Sequence, residues 1–211
     1  PSGKFAHIAY FIMGRSINSR NRVFSKTDDG IQTEAFDPAL LSDPSLIIYH
    51  PIRAYENKLI VTNGDQTDTI LSHLKTGGTF ESALSTRTYE PDAPNFTPRI
   101  SSLVTFTPGS FSYKLNILKA GADQECVREY FPFTPVAGAG RAIHTYASDG
   151  SPIPSFEGEP AEIELPELSG ELACRLWDAL DSDNKVSLYV RTVDLISGTY
   201  AERIINKHTE K

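Results

Sequence analysis

Ile-Ser-Ser-Leu-Val-Thr-Phe-Thr-Pro-Gly-Ser-Phe-Ser-Tyr-Lys-Leu-Asn-Ile-Leu-Lys-Ala, residues 100–120, reads as two β-strands folded about Pro108-Gly109. Runs rich in β-branched and aromatic residues on either side of a turn pair predict a hairpin, and a connection this short joins only antiparallel strands. The same signal recurs outward. Asp29-Gly30 joins strand-like runs at 23–26 and 31–36, and residues 46–62 form two β-rich arms around Glu56-Asn57-Lys58. Residues 125–133 and 142–147 are further strand candidates, and 186–195 and 200–205 make a closing hairpin across Ser197-Gly198. Residues 5–15, aromatic and β-branched, predict a strand covered on both faces.

Helices are fewer. Asp65 and Thr67 supply caps before Ile70, Leu71 and Leu74, whose spacing suits a short amphipathic helix ended by Gly77-Gly78. A second is expected from Phe80 to about Tyr89, because Pro91, Pro94 and Pro98 cannot continue it. A third lies within residues 169–181, with Leu172, Ala173, Leu176, Trp177 and Leu180 on one face and Ser169 as its cap. About ten strands mostly joined by hairpins, with three helices, imply an α+β fold with antiparallel sheets. With no repeat and no linker-like stretch, residues 1–211 are expected to form a single domain.

Composition narrows the function. Of 211 residues 39% are hydrophobic, enough for a core, and 20 Lys and Arg against 27 Asp and Glu give a net charge of −7. That balance disfavours nucleic acid and anionic membranes as partners, so an anionic ligand needs a local basic cluster. Cys126 and Cys174 are read as free buried thiols, which favours a cytoplasmic protein. No apolar run approaches the roughly 18 residues of a membrane span, and no signal peptide is recognised.

Four stretches carry candidate chemistry. Gly14-Arg15-Ser16-Ile17-Asn18-Ser19-Arg20-Asn21-Arg22 is the local basic cluster, read as an exposed polar loop or an anion site with guanidinium forks. Tyr49-His50-Pro51-Ile52-Arg53 offers a hydroxyl for a developing oxyanion, and a lone histidine with no second at ligand spacing gives no metal. Thr62-Asn63-Gly64-Asp65 is turn chemistry in which Asn63 is placed to read an amide, while Asp65 and Asp68 disfavour a phosphate. The proline-stiffened run from Tyr89-Glu90 to Thr97-Pro98-Arg99 holds carboxylates for acid–base work beside an anion contact, or forms a rigid connector with an ion pair. Phosphate-loop, dinucleotide and Gly-x-Ser-x-Gly patterns are absent.

In order, Ala9-Tyr10 through Arg15-Ser16 to Arg20, Tyr49 through Ile52-Arg53, Val61-Thr62-Asn63-Gly64 with Thr67-Asp68, and Tyr89-Glu90 with Thr97-Pro98-Arg99-Ile100 resemble the archaeal-type inosine monophosphate (IMP) cyclohydrolases and their bacterial relatives. The stretch from His144-Thr145-Tyr146 to Pro160 looks like the bacterial branch. The resemblance implies closure of 5-formamidoimidazole-4-carboxamide ribonucleotide to IMP with loss of water, in purine synthesis, without a cofactor or metal. It implies a four-layer αββα sandwich similar to the N-terminal-nucleophile hydrolases, and a homo-oligomer. Pro1 supplies no Ser, Thr or Cys nucleophile at the start of this sequence.

By that resemblance Arg20, Tyr49 and Glu90 are catalytic: Tyr49 as oxyanion donor or acid, Arg20 as electrostatic support, Glu90 as proton carrier. A single gap would exchange Arg20 for Arg22; the ungapped match from Ala9 favours Arg20. Arg15, Arg22, Arg53 and Arg99 are candidate contacts to phosphate or base, and Asn63 and Thr97 to the carboxamide. The alternatives are a purine-nucleotide binding protein without catalysis and a different amidohydrolase on the same scaffold.

Overall fold

The computed structural model describes residues 4–41, 44, 47–166 and 169–209. Among these it is a mixed α+β structure with twelve strands in antiparallel sheets and four α-helices. β6 (Arg99–Thr107) and β7 (Ser110–Ala120) pair from Arg99↔Leu118 to Thr107↔Ser110. Around them runs a seven-stranded sheet in the order β2-β3-β4-β5-β6-β7-β8. Its other members are β2 (Arg22–Thr27), β3 (Gly30–Ala35), β4 (Ile52–Tyr55), β5 (Lys58–Thr62) and β8 (Cys126–Phe133). Spatial order equals chain order; short turns join β2 to β3, β4 to β5, β6 to β7 and β7 to β8, while longer segments, residues 36–51 and 63–98, join β3 to β4 and β5 to β6. Gly30, at the start of β3, is required by the close approach of β4: a Cβ there would overlap the Ile52 carbonyl oxygen.

A second sheet joins β1 (Phe5–Met13), β11 (Lys185–Asp194) and β12 (Tyr200–Asn206), with β1 antiparallel to β11. Strand alternation gives each sheet two apolar faces. Ile31, Ile52, Leu59 and Val104 of the large sheet pack against Ala6, Ile8, Tyr189 and Val193 of the small one. On the other face of the large sheet, Ile60, Leu103 and Leu118 meet Ile70, Leu71, Phe80 and Leu84 of α2 (Gln66–Lys75) and α3 (Phe80–Ser85). On the far face of the small sheet, Leu188, Val190 and Ile205 meet Leu172, Ala173 and Trp177 of α4 (Leu172–Ala179).

Several expectations are corrected. β1 alternates buried and exposed residues rather than being covered twice: Phe5, Phe11 and Met13 are exposed because α4 packs over β11 and β12. The polar loop after β1 contains a turn of helix, α1 (Ile17–Arg20), capped by the Ser16 hydroxyl. Leu46 lies outside the described residues, and the first arm of the 46–62 hairpin is strand only from Ile52. The second helix ends at Ser85, where the Arg128 guanidinium donates to the carbonyls of Leu84, Ser85 and Arg87. A 3-10 turn precedes α4, and the side chain of Ser169 lies outside the described residues. Instead of a strand at 142–147, β9 (Ala139–Ala142) pairs with the unanticipated β10 (Ala161–Glu164). Neither cysteine is fully buried: Cys126 is partly exposed and Cys174 exposed.

Candidate active site

The starts of β2 and β6 and the end of β5 lie at one end of the large sheet, and polar side chains gather there. Tyr49 precedes β4 and is held by Thr33, which is fully buried. The Tyr49 N–H donates to Thr33 Oγ1 at 2.9 Å, the Thr33 N–H donates to the Tyr49 carbonyl at 2.9 Å, and the Thr33 hydroxyl donates to Ile47 O at 2.7 Å. The Tyr49 ring is buried, with its hydroxyl 2.9 Å from that of Tyr10. Tyr10 belongs to the inward face of β1, where a buried hydroxyl needs a partner. Burial raises both phenols above the ordinary tyrosine value, while the nearby Arg22 charge opposes the rise.

Arg22 opens β2 on the face that also carries Phe24. Its guanidinium is buried and donates to Ser19 O at 2.8 Å. Arg20, at the end of α1, turns elsewhere: it donates to Gly14 O at 2.9 Å and Asn184 Oδ1 at 2.8 Å. The cluster around Tyr49 therefore contains Arg22 and not Arg20. Arg20 closes the helical turn and Arg22, two residues on, opens the strand, and only the strand position faces between the sheets.

Glu90 is 7% exposed. Burial lifts its pKa to about 7; the Arg99 and Arg22 charges oppose that, and Asp92 and Asp65 reinforce it. Arg99 Nη1 lies 3.7 Å from Glu90 Oε1, 2.8 Å from Asp65 Oδ1 and 2.8 Å from Gln66 Oε1. Gly64 makes room for this group, since a Cβ there would fall 2.5 Å from Arg99 Nη1 and 3.5 Å from Glu90 Oε1. Asn63 is engaged in the scaffold: its Oδ1 accepts from the Ile100 N–H and from Gln66, and its Nδ2 donates to Pro98 O. Arg53 is paired with Asp29 and Asp68, apart from the Tyr49 cluster.

Thr97 donates its N–H and its hydroxyl to the two oxygens of Asp92. The Thr97 carbonyl accepts from the Glu90 N–H at 2.9 Å, so the loop returns on itself. Tyr146 brings its hydroxyl to 2.6 Å from Thr97 Oγ1, and Arg15 pairs with exposed Asp149 at 2.9 Å. Tyr10, Gln66, Asp92 and Tyr146 were not assigned from sequence. Tyr10 was detectable from its inward place in the alternation Ala6, Ile8, Tyr10, Ile12.

Two hollows flank the cluster. A cavity of about 660 Å³ touches Tyr10 and Thr62, but most of its other walls, such as Phe111, Val136 and Leu176, are apolar. A smaller one of about 270 Å³ lies among Thr86, Arg87, Tyr89 and Arg99. Among the described residues no group of three His, Cys, Asp or Glu side chains is placed to hold a metal. No helix among them is long and apolar enough to cross a membrane. Chemically, the cluster joins two protonated phenols, fixed cations and a carboxyl group able to exchange a proton near neutrality.

Residues 1–197 match the family described as IMP cyclohydrolase-like protein. Among curated proteins none matches the chain.

Proposed function

The chain belongs to the IMP cyclohydrolase-like protein family, and from that membership and the geometry of the Tyr49 cluster we propose that it closes 5-formamidoimidazole-4-carboxamide ribonucleotide to IMP. The single observation that carries the reading is the buried Glu90 carboxyl, 3.7 Å from the Arg99 guanidinium and within electrostatic reach of Tyr49 and Arg22, where burial raises its pKa to about 7. The carboxamide nitrogen attacks the formyl carbon of the same molecule, so proximity is supplied by the substrate and the protein fixes its rotamer. A C–N bond forms, the formyl oxygen gains negative charge, and the carboxamide nitrogen loses a proton. The C–O bond then breaks as the formamido nitrogen gives up its own proton to close the ring C=N, and the oxygen leaves as water carrying the equivalent of both protons.

Tyr49, kept protonated by burial, donates to the developing oxyanion, and Arg22 supplies the positive charge that the resemblance had assigned to Arg20. Glu90 takes the proton from nitrogen and returns one to the leaving oxygen; a group that titrates near neutrality does both. Arg15 meets the phosphate once Asp149 is displaced, an exposed pair being easily exchanged. The four-layer αββα sandwich, a single domain, a homo-oligomer and a place in cytoplasmic purine synthesis belong to the same proposal. The order of helices and sheets supports the first of these.

The test is the ultraviolet change on mixing chelator-treated protein with the formamidoimidazole ribonucleotide. IMP formation that falls by about 10²- to 10³-fold in Tyr49→Phe supports the reading. Folded protein that binds IMP but forms none points to a nucleotide-binding protein.

A further inference from the structure

Residues 143–157 reach the candidate site from outside its two loops. Residues 145–147 and 154–156 pair as a short ladder: Tyr146 bridges Ser155, the Ala147 N–H donates to Pro154 O at 2.9 Å, and the Phe156 N–H donates to Thr145 O at 3.0 Å. The base of this strap is fastened by Phe156, buried and edge-on to His144 with ring centroids 4.7 Å apart. Lys119 clamps it further, donating to Phe156 O at 3.2 Å and pairing with Glu157 at 2.7 Å and Glu129 at 3.0 Å. The tip touches the arginine loop through Asp149 and Arg15. It touches the 90–99 loop where the Ile153 N–H meets Asn95 Oδ1 at 3.2 Å.

Tyr146 lies where the strap meets Thr97, and donor counting fixes the direction of that contact. A threonine hydroxyl has one proton and two lone pairs, and a carboxylate only accepts. The Thr97 proton goes to Asp92, so the 2.6 Å contact between Tyr146 and Thr97 has the tyrosine as donor. Burial raises the Tyr146 pKa, with Asp92 and Glu90 adding to it against the Thr97 hydrogen bond and the Arg15 charge, so the phenol keeps the proton it donates. The relay Tyr146 to Thr97 to Asp92 thus has no proton left for a ligand. What it presents is lone pairs on two hydroxyl oxygens, backed by a carboxylate.

We propose that Tyr146 is a specificity-determining residue: with its own proton committed to Thr97 and that of Thr97 committed to Asp92, its hydroxyl oxygen completes an acceptor surface that takes the N–H₂ of a carboxamide and rejects a carboxylate at the same place on the imidazole. This rests on the substrate reading above. A carboxamide N–H donates into these lone pairs and turns its nitrogen toward the attack; a carboxylate brings only acceptors and a negative charge against Asp92, and is left desolvated without a partner.

The experiment compares, by titration calorimetry, 5-aminoimidazole-4-carboxamide ribonucleotide with the same ribonucleotide bearing a 4-carboxylate, neither having a formyl group to react. The expected preference for the carboxamide is on the order of a hundredfold, falling about tenfold in Tyr146→Phe through weaker carboxamide binding. Thr97→Ser, which keeps the hydroxyl, retains it, and Thr97→Val loses it; where Thr97→Val fails to fold, Tyr146→Phe decides. Equal affinity for the two ligands, or a preference unchanged in Tyr146→Phe, overturns this inference and leaves ring closure standing. Binding of neither ligand overturns both.

Discussion

At the scale of single residues, Glu90 sets function against stability. Its folded pKa of about 7 stands above the ordinary 4.5 because burial disfavours the charge. Between those values the folded chain binds more protons than the unfolded one, so this group's contribution falls as pH rises from 4.5 to 7 and stays low above. Glu90→Gln therefore stabilises the protein above pH 7 by on the order of 3 kcal/mol, read by urea unfolding, with the gain vanishing below pH 4.5. Arg22→Ala costs more turnover than Arg20→Ala, measured as kcat/KM, because only Arg22 stands beside Tyr49. Tyr49 and Glu90 stood out in sequence as motif positions, and the structure buries both. Which of Arg20 and Arg22 lies by Tyr49 was left to an alignment gap, since it depends on where one turn of helix gives way to a strand inside a stretch that composition describes only as polar.

At the scale of elements, close approach explains what the strands can hold. The β5–α2 connection passes so near Arg99 that Gly64→Ala pushes the guanidinium from Asp65, Gln66 and Glu90 together. The expected loss is about 1–3 kcal/mol of stability in urea, the range of overpacked sites, together with a large fall in turnover. Lys119→Met removes the clamp on the strap and leaves Glu129 without its cation; amide exchange at residues 145–156 then speeds up while that of β5 and β6 is unchanged. Hairpins were readable because each turn signal joins spatial neighbours. β10 was not, because Ala161–Glu164 is an acidic, mostly exposed strand of only four residues, too short for its alternation to give a signal. The end of α3 was misplaced because its stop is a guanidinium from β8, more than forty residues away in sequence.

For the whole molecule, the α+β class and antiparallel pairing followed from local turns, whereas the split into two facing sheets depends on the long-range pairing of β1 with β11. The sole tryptophan, Trp177, packs on the small sheet and reports it, while circular dichroism is dominated by the large one. A single domain gives coincident fluorescence and circular-dichroism transitions in urea; two separated transitions would contradict it. The site lies where these levels meet: the meander brings the ends of β2, β5 and β6 together, the facing sheet adds Tyr10, and the strap adds Tyr146. The most direct test of the central claim is the pH profile of kcat for IMP formation, followed by absorbance, in wild type and Glu90→Gln. The account predicts a titration near pH 7 that disappears in the variant, with kcat lowered by about 10²- to 10⁴-fold. An unchanged profile and rate in Glu90→Gln would contradict it.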